Sequence, residues 1–174
     1  MKIVTITATR RHKMWGNIVR GLTAQTRPPD SAIVLLHGIP ASLVGLPSLS
    51  IPGIVKSVDA SLRLGQILNH GMELGAAAGA DLCCIWGDDD WYGPGYLAQV
   101  EAAYQKHSDA WLIGKHAYRT RWVDGPARAE EFFAAPSSNG RSHWLAGPTI
   151  CVPEQRRRDH GLAYRTDLSG PVDS

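Results

Sequence analysis

Cysteine is scarce in this chain, with three in 174 residues and two of them adjacent as Cys83 and Cys84. Three thiols cannot build a disulfide framework, and neighbours on a strand point to opposite faces, so this pair is not expected to bridge. That usage predicts a reducing compartment, and a cytoplasmic protein is expected. There is no Cys-x-x-Cys and no clustered Cys/His spacing, so structural zinc is not expected; the seven histidines read as structural or surface groups. Long apolar runs are missing too. None approaches the roughly 20 residues of a membrane-spanning helix. The opening Met1-Lys2-Ile3-Val4-Thr5-Ile6 is a short strand, too brief for a signal peptide. Nor is there an excess of one charge: 18 basic against 16 acidic residues leave +2, which excludes a polybasic nucleic-acid or membrane binder. No phosphate loop of the GxxxxGK type and no Ser-His-Asp assignment can be found.

What is present describes a single globular unit. Hydrophobic residues make up 44% of the chain, enough to exclude wholesale disorder. The length predicts one compact domain over residues 1–174 and needs no disulfide or metal staple to fold. Charge is uneven along it. Residues 1–87 carry 8 Lys+Arg against 4 Asp+Glu, a balance of +4; residues 88–174 carry 10 against 12, a balance of −2. A basic half meeting an acidic half suits a site that holds an anion and a cation together.

Strand and helix signals alternate. Residues 3–7 read as a short buried strand. Trp15, Ile18, Val19 and Leu22 then recur at helical spacing until Pro28-Pro29. Residues 32–36 form a second buried strand, ended by His37-Gly38. A loop rich in Pro, Ser and Gly follows, with a short strand near Ile54-Val55. Leu64, Ile67, Leu68 and Gly71 mark a helix running to about residue 78. Residues 81–86 are an apolar strand that feeds into Gly87-Asp88-Asp89-Asp90, and Pro94 opens a helix with Leu97, Val100 and Tyr104 on one face. Residues 110–120 read as one long strand, 121–141 as a polar insertion containing Phe132-Phe133, and 146–152 as a last strand. The β-α-β-α-β-α order predicts an α/β fold with a mostly parallel central sheet flanked by helices. Ligands then belong beyond the carboxyl ends of the strands, where Ala8 to Arg11, His37-Gly38 and Gly87 to Asp90 fall.

The acidic triplet is the most informative feature. Three consecutive carboxylates repel one another and need compensation. Hard oxygen ligands at a strand end suit Mg²⁺ or Mn²⁺, which would bridge a pyrophosphate. An aspartate ahead of a proline-led helix also serves as an ordinary N-cap. The segments Gly65-Gln66-Ile67-Leu68-Asn69-His70-Gly71 and Ile85-Trp86-Gly87-Asp88-Asp89-Asp90-Trp91-Tyr92-Gly93-Pro94-Gly95-Tyr96-Leu97 together resemble the core of family 2 glycosyltransferases of the GT-A fold. That family shows an Asn-x-Gly turn in a helix, an apolar strand, an Asp-rich DxD-type motif, and a Pro followed by Tyr-Leu. Thr7-Ala8-Thr9-Arg10 and Leu22-Thr23-Ala24-Gln25-Thr26 match its first strand and helix end. The likeness covers residues 1–105, the expected nucleotide-binding half, and continues through Ala146-Gly147-Pro148-Thr149 in the acceptor-side half, 106–174.

The resemblance implies a metal-dependent, inverting transferase that moves a sugar, hexosyl in type, from a nucleotide-diphosphate donor to the hydroxyl of a glycan, lipid or protein. It implies Asp89 as metal ligand with Asp88 and Asp90 beside it, and Mn²⁺ or Mg²⁺ as cofactor. Thr7, Thr9, Arg10, His37, Arg63 and Asp88 would then line the donor nucleotide. Inversion requires a general base within about 3 Å of the acceptor hydroxyl. The resemblance places it at Asp173, with Asp167 as the second candidate. Two positions depart from the family: Leu36-His37-Gly38-Ile39 stands where an acid usually reads the nucleobase, and Gly87 stands where the Asp-rich motif often begins. If Asp173 is the base, one residue from the C-terminus, something must order that tail, such as substrate, a partner chain or further sequence; a second copy or partner chain completing the site is one of these expectations.

Other candidates are weaker. Arg10-Arg11-His12-Lys13 lies between a strand and a helix N-terminus, a good anion site. Arg156-Arg157-Arg158 reads as a solvated helix face. Trp91, Trp122 and Trp144 offer ring faces to a sugar. The alternative reading is a non-catalytic nucleotide- or partner-binding module of the same fold. A nucleotidyltransferase ranks below both, because the loop after the first strand lacks the glycines that chemistry favours.

Overall fold

The computed structural model describes residues 1–43, 50–121, 130–134, 137–138, 141–142 and 145–166. Five strands form the central sheet. β1 (Ile3–Thr9) pairs in parallel with β2 (Ser31–His37), and β2 pairs with β3 (Gly53–Val58). On its other side β1 pairs in parallel with β4 (Leu82–Ile85). The other strands are β5 (Ala117–Arg121), β6 (Glu130–Ala134), the short pair β7 (Ser137–Ser138) and β8 (Arg141–Ser142), and β9 (Cys151–Pro153), which closes the sheet antiparallel to β4. The order is β3-β2-β1-β4-β9. The helices are α1 (Trp15–Thr23), α2 (Leu64–Ala77), α3 (Tyr96–Lys106) and α4 (Glu154–His160). Among the described residues, no helix is long and apolar enough to cross a membrane.

Period-two alternation divides the core into two layers. Ile3, Ala32, Val34, Leu36, Leu82 and Cys84 face the layer of α1 and α3, with Trp15, Ile18, Leu22, Leu97 and Val100. Val4, Ile6, Ile33, Leu35, Cys83 and Ile85 face α2, with Ile67, Leu68 and Met72. Cys83 and Cys84 therefore lie on opposite faces, both free and buried, as the alternation predicts. Burial pushes the Cys83 thiol up to about 12.

Two sequence signals gain physical causes. Gly71 lets α2 lie against β1, because a Cβ there would collide with Ile6. Gln25, 5% exposed, ties the end of α1 to the start of α3. Its Nε2 donates to Gly93 O (3.1 Å) and its Oε1 accepts from Leu97 N (3.1 Å), one of the orphan amides of the α3 N-terminus.

The second half departs from the expected strands. Residues 110–120 are not one strand. Ile113 exchanges two backbone bonds with Cys151, the chain then turns away at Gly114, and β5 begins at Ala117. A side chain at residue 114 would press on Thr149 O, so the chain passes closest where it has none. The expected insertion contains β6, which forms an antiparallel pair with β5 and leaves Phe132 and Phe133 exposed. Residues 147–149 form a single 3-10 turn rather than strand, since Pro148 has no N–H for a ladder. α3 starts at Tyr96, two residues beyond Pro94.

Candidate functional site

The strand order fixes where a ligand belongs. From β1 the chain builds outward through β2 to β3, then returns to place β4 on the other side of β1. The sheet therefore switches direction between β1 and β4, and the crevice beyond those two carboxyl ends is the expected ligand position. The residues that follow β1 and β4 meet there.

Asp88 is the centre of that meeting, 5% exposed. Its carboxylate accepts from Thr9 Oγ1 (2.5 Å) and from Arg11 Nε (3.1 Å) and Nη2. Arg11 Nη2 also reaches Asp89 Oδ2 at 3.0 Å. The bond to Asp88, and the charges of Asp88 and Asp89, hold the Arg11 guanidinium above its already high ordinary value. The backbone is fixed as well. Asn17, in the first turn of α1, donates to the carbonyls of Asp88 (2.8 Å) and Asp90 (3.3 Å). Tyr92 Oη accepts from Gly87 N and donates to Pro148 O, each at 2.8 Å, while its ring stacks on Trp86 at 3.8 Å. Tyr96 Oη donates to Thr149 O at 3.0 Å. The Tyr92 hydroxyl thus ties the acidic loop, and the Tyr96 hydroxyl the start of α3, to the 147–149 turn.

Asp90 explains the glycine at 87. Its carboxylate fills the space a side chain at 87 would need. The acidic group therefore comes from the far end of the loop instead of its start. Burial, then the charges of Asp89 and Asp88, push the Asp90 carboxyl up to about 6. It has no hydrogen-bond or ion-pair partner among the described residues.

Beside this lie two further groups. At the end of β2, Arg10 Nε donates to His37 Nδ1 at 2.8 Å, and His37 Nε2 stands 3.1 Å from Arg10 Nη2 and 3.0 Å from Ala60 O. Asp59, just past β3, supplies an exposed carboxylate that bonds from the hydroxyl and amide of Ser61 hold below the usual carboxylate value. Farther along, Arg63 precedes α2, and its amide donates to Gln66 Oε1 at 2.8 Å. Asn69 exchanges two bonds with the backbone of Tyr164, Nδ2 to O at 2.9 Å and N to Oδ1 at 2.8 Å. Gly65 leaves room for Arg165 O, and Arg63 Nη1 stands 3.5 Å from Thr166 O. The Asn-x-Gly pattern therefore does two jobs: Asn69 holds the C-terminal segment, and Gly71 holds β1.

Of the sequence candidates, Thr9, Asp88 and Asp89 meet through Arg11, and Arg10 meets His37. Thr7 is buried, 1% exposed, in the strand below Thr9. Arg63 stands with the C-terminal segment. Asp167, Asp173, Trp122 and Trp144 lie outside the described residues. Trp91 is 85% exposed directly after the triplet. Arg157 is not solvated: it pairs with the buried Glu154 and with Glu73. Sequence reasoning missed Asn17 and the pairing of Arg11 with the triplet. The signal available was a cation two residues past a strand adjoining the acidic one.

Among the described residues, no three His, Cys, Asp or Glu groups stand ready as a metal-ligand set. The donor chemistry still suits a small hard cation. Three carboxylates face one guanidinium, Asp89 is half exposed, and the Asp90 carboxylate has no partner among the described residues. Asp89 and Asp90 would hold the ion once Arg11 leaves Asp89. A separate apolar cavity of about 150 Å³, lined by Met72, Ile150, Val152, Leu162 and Tyr164 among others, shares no residue with the acidic loop or its Thr9 and Arg11 partners.

No protein-family model matches the chain, and no curated protein matches it. Its structure does match solved glycosyltransferases. Residues 1–349 of S. aureus TarS superpose with a TM-score of 0.71 at 14% identity, over 98% of this chain and 52% of that one. The same protein in complex with UDP-GlcNAc gives 0.68 at 14% identity, over 99% and 51%. The mannosyltransferase PcManGT from Pyrobaculum calidifontis, in complex with GDP-Man and Mn²⁺, gives 0.59 at 12% identity, over 96% and 48%. The fold is thus the GT-A fold of these enzymes, and the chain spans about half the length of each.

Proposed function

We propose that this chain transfers a glycosyl group from a nucleotide-diphosphate sugar to an acceptor hydroxyl, with inversion and with a divalent cation, as family 2 glycosyltransferases do. One observation carries the reading: Thr9, Arg11 and the Asp88–Asp90 loop converge at the β1/β4 switch point of a GT-A fold. Residues 1–105 form the nucleotide-binding half and 106–174 the acceptor side. Thr9, Arg10, His37, Arg63 and Asp88 surround the donor nucleotide, and Thr7 supports Thr9 from below. Asp59 offers the exposed acid that the end of β2 lacks.

The chemistry follows from charge. The acceptor oxygen attacks the anomeric carbon from the face opposite the diphosphate. The bond from that carbon to the phosphate oxygen breaks, and its electron pair leaves on the nucleoside diphosphate. Charge therefore develops on the diphosphate, where cationic side chains are worth most. Arg11 and Arg10 supply two guanidinium groups at this end of the sheet. A Mn²⁺ or Mg²⁺ held by Asp89 and Asp90 would add Lewis-acid stabilisation of the same leaving group. The acceptor proton goes to a carboxylate, Asp173 or Asp167. Asn69 and Gly65 support this by bringing the chain as far as Thr166 to the α2 N-terminus, the end of the helix that follows the carboxyl end of β3. Trp91 offers its exposed ring to the sugar.

A thermal-shift screen of UDP, GDP, CDP, ADP and TDP, each with and without Mn²⁺, tests the donor class, followed by product analysis with the matching nucleotide sugars. Stabilisation by one base with Mn²⁺, and release of that nucleoside diphosphate, is the expected result. Stabilisation without turnover would favour a binding module. Pyrophosphate as product would indicate nucleotidyl transfer, and no response to any nucleotide would end the reading.

A further inference from the structure

We infer that Arg11 is an internal counter-ion of the acidic loop, exchanged for the diphosphate when cation and nucleotide enter, so that each tightens the other's binding. The inference rests on the nucleotide-sugar reading of this site. Arg11 uses Nε and Nη2 on the buried Asp88 and the same Nη2 on Asp89. Those carboxylate oxygens are the hard donors a divalent cation needs. A cation arriving alone must displace charge-assisted bonds and leave the guanidinium without an anion. A diphosphate arriving alone meets three carboxylates against one guanidinium and is repelled. When both arrive, the cation takes the carboxylates and the diphosphate takes Arg11, whose planar fork suits phosphate as well as carboxylate.

The surroundings permit that exchange. The Arg11 side chain is 36% exposed, while its backbone amide stays fixed on Thr9 Oγ1 at 3.0 Å. The acidic loop does not need Arg11 to keep its shape, because Asn17 and Tyr92 hold its backbone and Thr9 holds Asp88. The guanidinium also reaches past the buried carboxylate to the half-exposed Asp89, which a purely structural pair would leave to water. Coupling between two ligands is reciprocal, so it can be read from the cation side alone.

Mn²⁺ titrations followed by electron paramagnetic resonance would compare the wild type, Arg11→Gln and Arg11→Lys, each alone and with saturating UDP or GDP. In the wild type the bound nucleotide should tighten Mn²⁺ by about tenfold or more, within the usual range of such couplings. Arg11→Gln should bind Mn²⁺ alone about tenfold more tightly than the wild type and lose that coupling. Arg11→Lys, a point charge without the fork, should fall between them; it decides the matter if the Gln variant fails a circular-dichroism check of folding. Equal or weaker Mn²⁺ binding by the variants, or coupling that survives in full, overturns the inference while leaving the donor reading intact. Failure of every nucleotide to bind the wild type with Mn²⁺ overturns the donor reading, and the exchange with it.

Discussion

Asn69→Ala should loosen the C-terminal segment without unfolding the protein. Asn69 makes two reciprocal bonds to one residue, at 2.9 and 2.8 Å, and they are the side-chain bonds that pin Tyr164 to α2. Both groups on Tyr164 are only part-buried, so water can replace the lost partner. Each bond then counts for about 1 kcal/mol rather than the full cost of a buried orphan. Two such bonds make about 2 kcal/mol, a factor of about 30 in a local opening equilibrium. The side chains of Leu162 and Tyr164 still pack against the α2-side core, so the segment stays seated most of the time. The assay is native-state amide exchange. The Tyr164 amide, whose acceptor is Asn69 Oδ1, should exchange about 30-fold faster, while amides of β1 and β4 keep their protection. If the Tyr164 amide exchanges within about twofold of the wild type, Asn69 does not hold this segment, and the physical account of the Asn-x-Gly pattern fails.

Gly87→Ala should leave the melting temperature nearly unchanged, because only the end of the Asp90 side chain must move, and should weaken nucleotide binding in the presence of Mn²⁺. Full nucleotide affinity in that variant would mean Asp90 is not part of the site. Arg157→Ala strands the carboxylate of Glu154, 1% exposed and bonded to Arg157 at 2.8 and 2.9 Å. Removing one partner of a buried pair should cost about 3 kcal/mol, or roughly 6–12 °C in the melting temperature of a domain this size, and a loss under about 1 kcal/mol would refute it. Burial works against ionised Asp30, but the bond from Ile3 N and the Arg27 guanidinium outweigh it and hold the carboxyl below its usual value. A depressed carboxyl stabilises above its unfolded pKa and loses that contribution as pH falls through the folded one. Asp30→Asn should therefore melt below the wild type at pH 7, and the two curves should converge below about pH 4; a constant gap across that range would contradict the sign.

The first half of the fold was legible because its signals are local. Ile33 and Leu35 against Ala32, Val34 and Leu36 is a period of two, and each set faces its own helix layer. The Leu-x-x-Gln and Asn-x-Gly patterns pointed to the right elements, although their cause, Gln25 on Leu97 and Asn69 on Tyr164, is a tertiary contact that spacing does not reveal. The second half misled for the opposite reason. The apolar run at 110–120 reads as a strand by composition, yet Gly114 and the close passage of Thr149 O break it. The acidic triplet was read correctly as needing compensation, but the first compensating charge is a residue of the chain itself. Arg11 is 77 positions away in sequence and becomes adjacent only because β4 pairs with β1.

That pairing also changes the meaning of the charge asymmetry. A +4 half and a −2 half looked like a site prepared for an anion and a cation. In the folded chain the two halves meet beyond the carboxyl ends of β1 and β4, and part of the asymmetry is already spent there, Arg11 on Asp88 and Asp89. What remains there is negative, because three carboxylates oppose one guanidinium and Asp90 is left to titrate upward. A diphosphate cannot be drawn to such a place by the protein's own field. It needs a cation that arrives with it and takes the carboxylates from Arg11. The positive end of the site lies one strand over, at Arg10 beside His37. Under the proposed reading, a donor would straddle β1, with its phosphates toward Arg10 and Arg11 and its leaving bond toward Asp89 and Asp90. An inversion of that order, phosphates over the triplet without a cation, would set their charge against Asp88, Asp89 and Asp90, of which the single Arg11 guanidinium offsets only part.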